Sequence, residues 1–581
     1  MKQIKRMIHY LRPYWVWALL APFFMVIEVS MDLSQPRLLQ SIVDIGIAHH
    51  DVGYVLHHGL LMIIVALIGL VGGSGCTVFS TIAALNFSTD LRADLFKKVQ
   101  SLSFGNIDHL GTGSLITHLT NDIDQVQEAV IMFLRVLVRA PLLMVGSLAL
   151  AIVTSPKLSM LLMVLSPLLL LMIVLVRRKA NPLFTSVQER LDAINSIVQE
   201  NLAGVRVVKA FSRSQHECER FGRANENLSD TTTVASSLIA VMFPGMLLLM
   251  NLGIVGVLWF GGISVNNGSL KVGQLLAYVN YLTQMLGSLM MVSMLLMRIS
   301  RADASAARII NVLDTTPDVQ DGTGANEAPE LRGGVTFDGV GFSYNGSDES
   351  VLKDISFEAE PGETIAILGA TGAGKSSLAH LIPRLYDVSA GSIKIDGMDI
   401  RGLTQESLRR QIAMVLQDTI LFSGTIRDNI RFGSPDATDD EVVEAAKMAQ
   451  AHEFITGFAD GYDSVLGQRG VNISGGQKQR LSIARALVSR PAILILDDCT
   501  SSVDMITERR IFDALNAWSH KCTRFVIAQR IRSIVDSDKI LVIEDGTLAS
   551  VGTHDELLKS SEVYQGIYQS QVGAAEVDSG S

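Results

Sequence analysis

Long apolar runs fill the chain up to Met297, whereas charged residues gather after it. A membrane-spanning helix needs ~20 mainly apolar residues, and six segments meet that requirement. The pattern therefore predicts six transmembrane helices with a soluble domain behind them. The predicted spans are roughly Trp15–Ile45, Leu60–Leu85, Val136–Val153, Leu158–Val176, Val234–Val265 and Val272–Met297.

The connections between these spans differ in length and in charge. Those after the second and fourth spans are long, helical in pattern and rich in lysine and arginine, whereas the others are short and carry almost none. Cytoplasmic segments of membrane proteins carry an excess of these cations. We therefore expect the N-terminus, both long connections and the soluble domain to be cytoplasmic, in a multi-pass protein of the cell membrane. The tips of the long connections, near Ile107–Thr112 and Phe211–Phe221, would meet the soluble domain.

The polar half begins with a linker and then changes its periodicity. Asp318–Gly334 is rich in glycine, proline and acids, and short β-branched runs alternate with amphipathic segments from Val335 onward. That alternation is typical of an α/β domain. The predicted organisation is a transmembrane domain at 1–315, a linker at 316–333, the α/β domain at 334–572 and a disordered polar tail at 573–581.

Glycines and a lysine follow a buried-type strand at Thr364–Leu368, and a helical pattern follows them. In a phosphate-binding loop of the form Gly-x-x-x-x-Gly-Lys-Ser, backbone N–H groups curl around phosphate oxygens and the helix N-terminus adds positive potential. Lys375 is expected to contact the β and γ phosphates, and Ser376 to bind Mg²⁺. The predicted ATP-binding residues of this loop are Gly369, Ala370, Thr371, Gly372, Ala373, Gly374, Lys375, Ser376 and Ser377.

A pair of acids supplies a second part of the predicted nucleotide site. The short apolar run Ala492–Leu496 ends in Asp497 and Asp498. A carboxylate at the end of a buried strand is a usual ligand for Mg²⁺ beside a nucleotide. We expect Asp497 to contact Mg²⁺ directly or through water. Together with the glycine loop, this makes the soluble half an α/β P-loop nucleotide-binding domain.

Further motifs surround this predicted site. They are Tyr344, Gln417 in VLQDTILFSGTI, the run Ser474-Gly475-Gly476-Gln477, and the run Ser501-Ser502-Val503-Asp504. With the six spans, they resemble an ATP-binding cassette (ABC) half-transporter of the exporter type, and the resemblance covers essentially the whole chain. It implies that Tyr344 stacks on adenine and that Gln417 touches Mg²⁺. It also implies that the signature motif, Ser474–Gln477, contacts ATP held by a second nucleotide domain.

Two residues depart from that family's pattern, and both belong to hydrolysis. Asp498 stands where the family has a glutamate that orients or activates water, and Gln529 in Ile527-Ala528-Gln529-Arg530 stands where it has a switch histidine. Aspartate is one methylene shorter, and a ~1 Å misplacement can cost ~100-fold in rate. Glutamine can hydrogen-bond a phosphate but cannot carry the proton of a histidine. As candidate catalytic residues, they indicate a site that binds ATP and hardly hydrolyses it.

The simplest arrangement consistent with these departures is a heterodimer. The signature of this chain would complete a hydrolytic site on a second, different half-transporter, as in the noncatalytic-site subunit that it resembles in bacterial heterodimeric multidrug exporters. The resemblance implies ATP-driven export of hydrophobic or cationic drugs, with ATP and Mg²⁺ as cofactors and the lipid bilayer and a small amphipathic substrate as further partners. A homodimer with two slow sites, a lipid flippase, a peptide exporter, an importer on the same fold, and a regulatory ATP-binding subunit remain alternatives.

Charged residues within the spans suggest where a cargo could lie. Glu28 and Asp32 are one helical turn apart in the first span and share a face, while Arg135 and Arg139 do so at the start of the third. Charges inside a membrane usually face a cavity or a partner. Glu28, Asp32 and Arg139 are thus candidates for a substrate cavity that takes cationic or amphipathic cargo. A buried pairing of the two acids with Arg139 that only determines helix packing is the alternative.

Overall charge and cysteine content add two constraints. The net charge is -10 and no basic block is present, so the sequence gives no argument for a nucleic-acid partner. The cysteines, Cys76, Cys218, Cys499 and Cys522, are scattered without metal-ligand spacing. They are expected to be free thiols in or facing a reducing compartment.

Overall fold

The computed structural model describes residues 6–344, 349–528 and 530–578. The chain divides into two compact units by its internal contacts. The first contains the residues up to Gln100 together with Gly113–Asp314. The second contains Ser101–Thr112 together with the residues from Thr315 onward. All four cysteines are free thiols, as expected.

The membrane half is built from long helices joined by short turns. A 3-10 segment, Ile8–Tyr14, precedes the first helix, and π-helical turns lie at Ile42–Ile47 and His118–Asp122. The helices up to Asp314, of which α3 belongs to the second unit, are α1 (Trp15–Ser41), α2 (Val52–Ser101), α3 (Phe104–Leu110), α4 (Thr112–Thr117), α5 (Ile123–Thr154), α6 (Pro156–Ala203), α7 (Val205–Ala210), α8 (Ser214–Ala240), α9 (Met242–Asn266) and α10 (Val272–Asp314).

Six helical segments of the described chain are long and apolar enough to cross a membrane, which confirms the predicted number of spans. Several continue well past their apolar cores, because amphipathic sequence extends the helix. After Met297, α10 remains helical to Asp314 and buries Ala302, Ala306 and Ile309. The apolar segments are Ile8–Ile47, Val52–Ser101, Thr112–Thr154, Pro156–Ala203, Ser214–Asn266 and Val272–Val292.

Local sequence explains two features of this packing. Ser155 caps α6 by accepting a hydrogen bond from the backbone N–H of Leu158, and Pro156 occupies the first helical position, so α5 and α6 are separate helices. At Gly72 in α2, an added Cβ would lie 2.9 Å from the backbone nitrogen of Glu28 and 3.0 Å from the carbonyl oxygen of Phe24. A glycine therefore lets α2 pack closely against α1 beside Glu28.

The second unit is an α/β domain built on a mainly parallel sheet. Its six strands run in the order β12-β11-β3-β10-β9-β6, and only β12 is antiparallel to its neighbour. A four-stranded antiparallel sheet, β2-β1-β4-β5, and a small β7-β8 pair accompany it. The strands are β1 (Val335–Phe342), β2 (Leu352–Ala359), β3 (Thr364–Gly369), β4 (Ala390–Ile395), β5 (Met398–Asp399), β6 (Ile412–Val415), β7 (Gly424–Thr425), β8 (Val465–Leu466), β9 (Ile493–Asp497), β10 (Thr523–Ile527), β11 (Lys539–Glu544) and β12 (Thr547–Gly552).

Helices cover the parallel sheet and complete its core. The core strands β3 and β9 are buried along nearly their whole length, which explains their continuous apolar sequence. The helices are α11 (Lys375–Leu381), α12 (Gln405–Arg409), α13 (Ile426–Arg431), α14 (Asp439–Met448), α15 (His452–Thr456), α16 (Gly475–Leu487), α17 (Met505–Asn516), α18 (His554–Ser560) and α19 (Glu562–Asp578).

The linker and the C-terminal tail differ in secondary structure. The linker at 316–333 contains no helix or strand, and the guanidinium of Arg384 anchors it by donating to the carbonyl oxygen of Gln320 at 3.0 Å. The predicted disordered tail at 573–581 is wrong for residues 573–578, because α19 continues to Asp578. Ala574, Ala575 and Glu576 are strong helix formers and extend it.

Candidate nucleotide site and membrane cavity

The glycine loop connects β3 to α11 at the carboxyl edge of the parallel sheet. Gly372 and Gly374 have φ values of 86° and 98°, a region that L side chains rarely adopt. A Cβ at Gly369 would lie 2.3 Å from the carbonyl oxygen of Ile543, so the close approach of β3 and β11 also requires glycine. The loop is therefore shaped by its own sequence, and its exposed residues Ala370–Gly372 face solvent.

Lys375 and Ser376 occupy the first turn of α11, where the sequence placed phosphate and Mg²⁺ contacts. The Lys375 ammonium donates to the carbonyl oxygens of Gly369 at 2.9 Å and Ala370 at 2.7 Å, which keeps it over the loop. Burial lowers its pKa, and the charges of Asp497 and Asp498 oppose that shift. The hydroxyl of Ser376 donates to Asp497 Oδ1 at 3.1 Å. Ser376 and Asp497, two of the three predicted Mg²⁺ contacts, thus lie side by side.

The parallel pairing of the central strands brings the acids to the same edge. Ile527 at the end of β10 pairs with Asp497 at the end of β9, and β10 also pairs with β3. Asp497 is only 3% exposed. Burial raises the pKa of its carboxyl group, while the hydrogen bond from Ser376 acts in the opposite direction.

Asp498 is held at its backbone as well as at its side chain. Its N–H donates to the carbonyl oxygen of Ile527 at 2.9 Å, and its φ is 47°. The side-chain amide of Gln417 donates to Asp498 Oδ2 at 3.4 Å. Gln417, a predicted Mg²⁺ contact, is exposed. Its side chain contacts Asp498, the second of the two acids. Gln529 lies outside the described residues.

Tyr344 is half-buried beside α11. Its hydroxyl lies 2.8 Å from the hydroxyl of Ser377, and its ring packs edge-on against Phe342 and Tyr386. This arrangement places the predicted adenine-stacking residue next to the glycine loop. Ser377 is buried, and its hydroxyl contacts Tyr344.

The signature motif begins α16 as a capping box. The Ser474 hydroxyl accepts from the N–H of Gln477 at 3.3 Å, and the Gln477 side chain accepts from the N–H of Ser474 at 2.9 Å. Ser474 and Gly475 are exposed. The start of the helix therefore offers backbone N–H groups and a serine hydroxyl at the surface of the domain.

The sequence reasoning did not detect how the signature helix holds the neighbouring loop Ser501–Asp504. The buried side chain of Gln479 donates to the Ser501 hydroxyl at 3.1 Å and accepts from the N–H of Ser502 at 2.9 Å. A Cβ at Gly476 would lie 2.8 Å from the carbonyl oxygen of Ser502, so glycine is required there. In the sequence, this contact is indicated only by a glutamine, Gln479, two residues after Gln477 of the signature motif.

A second feature that the sequence reasoning missed is an aromatic contact to α3. The Tyr386 hydroxyl donates to Asp108 at 2.6 Å, and the Phe104 ring lies 6.4 Å from the Tyr386 ring. Burial and the Asp108 carboxylate raise the pKa of Tyr386. The ring of His380, in α11, stacks on the Tyr386 ring with 6.3 Å between their centroids. The helix tip predicted near Ile107–Thr112 therefore packs within the nucleotide-binding unit.

The candidate cavity residues in the spans form an ion-pair cluster. Arg139 donates to Glu28 and, at 3.0 Å, to Asp32 Oδ2. The side chain of Glu28 is 15% exposed and that of Asp32 is 38% exposed. The acids pair with Arg139 and also line a cavity of about 630 Å³ between α1, α2 and α5. Their contact with a substrate stays a prediction.

The donors of the nucleotide site fit Mg²⁺ and a polyphosphate. Mg²⁺ is usually held by one or two carboxylates plus phosphates and water, not by an all-protein cage. Ser376 and Asp497 supply such a partial set, and the described residues contain no cluster of three or more His, Cys, Asp or Glu side chains that could hold a metal. Mg²⁺ held there would neutralise charge on the phosphates, and Lys375 and the loop N–H groups would position them.

Comparison with known proteins is consistent with both halves of this description. Residues 18–289 match the ABC transporter transmembrane region, and residues 352–501 match the ABC transporter family. YfiB, an ABC transporter ATP-binding protein of Bacillus subtilis, is 44% identical over 98% of this chain and 99% of its own length. YgaD of B. subtilis, provisionally named a multidrug export ATP-binding/permease protein, is 34% identical over 98% of this chain and 99% of its own.

Two further relatives carry names or folds that bear on function. The ATP-dependent lipid A-core flippase of Desulfotalea psychrophila is 34% identical over 98% of this chain and 99% of its own length. The structure of a bacterial Atm1-family ABC exporter with ATP bound covers 97% of this chain and 98% of its own, at 28% identity and a TM-score of 0.79. The chain therefore belongs to the ABC transporters, as a multi-pass exporter half-transporter that couples ATP hydrolysis to transport.

Proposed function

We propose that this chain is the degenerate-site half of a heterodimeric exporter. The complex would use ATP and Mg²⁺ to move hydrophobic and amphipathic compounds outward across the cytoplasmic membrane. The N-terminus and the nucleotide-binding domain would be cytoplasmic. The observation that carries this proposal is Asp498, held beside an otherwise complete set of ATP-binding residues.

Backbone geometry supports a poor hydrolytic role for Asp498. A glutamate at this position would reach ~1.5 Å further, by one carbon–carbon bond. The hydrogen bond between the Asp498 N–H and the Ile527 carbonyl holds the backbone to β10, so the main chain does not advance to compensate. The contact between Gln417 and Asp498 also occupies part of the carboxylate. Gln529, at the switch position, adds a second substitution of a residue needed for hydrolysis.

The complementary part of the proposal concerns the signature motif. Ser474 and the first N–H groups of α16 are exposed and intact. An intact signature on a chain with a weak site of its own is useful when it completes a competent site elsewhere. The partner would then be a different half-transporter that supplies a glutamate and a histidine. Hydrolysis at that single site would reset the transporter, while this chain's ATP is mostly retained.

The cargo follows less directly from the structure. YgaD is named for multidrug export and the D. psychrophila relative for lipid A-core flipping, so drug export and lipid flipping are both candidates. The cationic drugs expected from the sequence have weaker support, because Glu28 and Asp32 both pair with Arg139. Amphipathic compounds fit a cavity whose wall is partly apolar and partly charged.

The proposal is tested by the fate of nucleotide that stays bound. We expect the complex isolated through a tag on this chain to retain mostly ATP after rapid gel filtration and acid quenching. Asp498→Glu combined with Gln529→His should convert the retained nucleotide mostly to ADP, because the water-orienting acid and the switch histidine are restored. Asp436→Glu, in an exposed loop, is the matched control. Unchanged retention of ATP in the double variant would argue against a degenerate site.

A further inference from the structure

The cavity of about 630 Å³ in the membrane half contains a cation that the Glu28–Asp32–Arg139 cluster does not use. Arg135 lines the cavity one helical turn from Arg139 on α5. Among the described residues, Arg135 has no hydrogen-bond or ion-pair partner. Arginine carries five N–H donors and remains charged. The cavity thus holds one guanidinium whose donors are open.

Its position along α5 makes this observation informative. Arg135 lies 19 residues before the end of α5 at Thr154, or roughly 28 Å along a helix that rises ~1.5 Å per residue. That length is close to the ~30 Å thickness of the hydrocarbon core, so Arg135 lies near the boundary of the core opposite Thr154. Charged residues of transmembrane helices almost always face a water-filled cavity, pair with an opposite charge or reach the membrane interface. Because Arg135 lines this cavity, it meets its aqueous or anionic partner there.

The acids of the cavity do not serve as that partner. Arg139 donates to both Glu28 and Asp32, and Glu28 is further confined by Gly73, whose Cβ position would lie 3.0 Å from the Glu28 carboxyl carbon. The cluster is thus held together by its own hydrogen bonds. Arg135 is the group left to recognise a ligand.

The rest of the wall is suited to an apolar chain. Met31, Val65, Leu70 and Val78 line the same cavity, together with small residues of α2. Leu70 and Val78 are exposed at its margin. A volume of this size lies within the range of small-molecule sites, which are mostly apolar with a few placed polar groups. Charge and apolar surface therefore occur together.

We propose that this cavity binds an anionic amphiphile, whose phosphate or carboxylate pairs with Arg135 and whose hydrocarbon part lies along α1 and α2. This inference rests on the proposed function and narrows its substrate class. It reverses the charge preference expected from the sequence. The anionic group could belong to a membrane lipid or to a soluble amphiphile, and the chemistry at Arg135 is the same.

The experiment measures binding without ATP, so that its outcome is separate from transport. The isolated complex is placed in phosphatidylcholine nanodiscs, and binding of dodecyl phosphate and of dodecyltrimethylammonium is measured by equilibrium dialysis. Arg135→Gln should weaken dodecyl phosphate binding about tenfold, because a charge-assisted hydrogen bond is lost. Arg135→Lys should retain affinity within about threefold, since the charge is kept. Arg190→Gln, an exposed arginine of α6, is the matched control.

The outcomes separate the proposals. An Arg135→Gln complex that binds dodecyl phosphate with unchanged affinity, or that loses affinity for both probes equally, would overturn the inference. Competition by inorganic phosphate at the same concentration as dodecyl phosphate would also overturn it. If phosphatidylglycerol nanodiscs displace dodecyl phosphate, the inference is supported and the natural ligand is an anionic lipid. If dodecyl phosphate binds equally in phosphatidylglycerol and phosphatidylcholine nanodiscs, the inference is supported and the natural ligand is a soluble amphiphile. Failure of ATP-dependent transport for every probe would instead count against the proposed export function.

Discussion

At the scale of single residues, the proposed role of this ATP site depends on Asp498, which is one methylene group shorter than a glutamate. Its backbone is tied to β10, its carboxylate contacts Gln417, and its neighbour Asp497 is positioned against Ser376. Asp497 and Asp498 are adjacent in sequence, yet each is held by different hydrogen bonds. The motif was enough to assign an expected role to Asp497 and another to Asp498. The contact between Gln417 and Asp498 could not be predicted, because it depends on where two separate loops end.

The glycine loop offers a prediction at the same scale. Gly369→Ala would place a Cβ 2.3 Å from the Ile543 carbonyl oxygen and force β3 and β11 apart. We expect a loss of about 1–3 kcal/mol in stability from such overpacking, together with weaker ATP binding. Gly372→Ala is the matched control, because its Cβ would meet nothing within 4 Å and only the φ of 86° is strained.

Both variants are compared in the purified full-length protein by apparent melting temperature and by titration with a fluorescent ATP analogue. Gly369→Ala should lower the melting temperature more than Gly372→Ala. Equal effects of the two substitutions, or a larger effect of Gly372→Ala, would contradict the conclusion that the close approach of β11 requires glycine at 369.

At the scale of elements, α3 lies between two membrane helices in sequence but belongs to the nucleotide-binding unit. It is continuous in sequence with α2 and α4, yet it packs within the nucleotide-binding unit through Asp108 and Phe104 on Tyr386. Tyr386 in turn contacts His380 of α11 and Tyr344 beside the glycine loop. Hydrophobic and charge patterns predicted the long helix and its cytoplasmic tip. They could not identify Tyr386, because an aromatic residue after a short helix has many possible neighbours.

Removing one hydroxyl tests this connection. Tyr386→Phe keeps the ring stack and loses the hydrogen bond to Asp108, worth roughly 1 kcal/mol or about fivefold. We expect ATP hydrolysis by the complex to remain near normal while transport per ATP falls about fivefold. Tyr462→Phe is the control, because it also removes one tyrosine hydrogen bond, to His452, at a position remote in sequence from Tyr386. A parallel fall in hydrolysis and transport would assign Tyr386 a role in the nucleotide site itself.

At the scale of the whole molecule, we propose that two parts of the nucleotide-binding domain act on different ATP molecules. The glycine loop and Asp497, which lie together, would bind this chain's own ATP. The exposed signature motif would contact ATP held by a partner. The six spans and the α/β domain were predictable, because hydrophobic run length and the phosphate-loop motif are local signals. The ion pairing of Arg139 with Glu28 and Asp32 was predicted as one of two alternatives. The open donors of Arg135 were not predictable, because they depend on the relative rotation of α1 and α5.

The central claim is that hydrolysis depends on this chain's signature and not on its own second acid. Steady-state ATP hydrolysis by the complex isolated through a tag on this chain measures this directly, with Ser474→Ala and Asp498→Asn compared. We predict that Ser474→Ala lowers the rate by about tenfold or more, as for loss of a contact to the transition-state charge, while Asp498→Asn changes it by less than about twofold. Equal losses in both variants, or a larger loss for Asp498→Asn, would contradict the asymmetric arrangement.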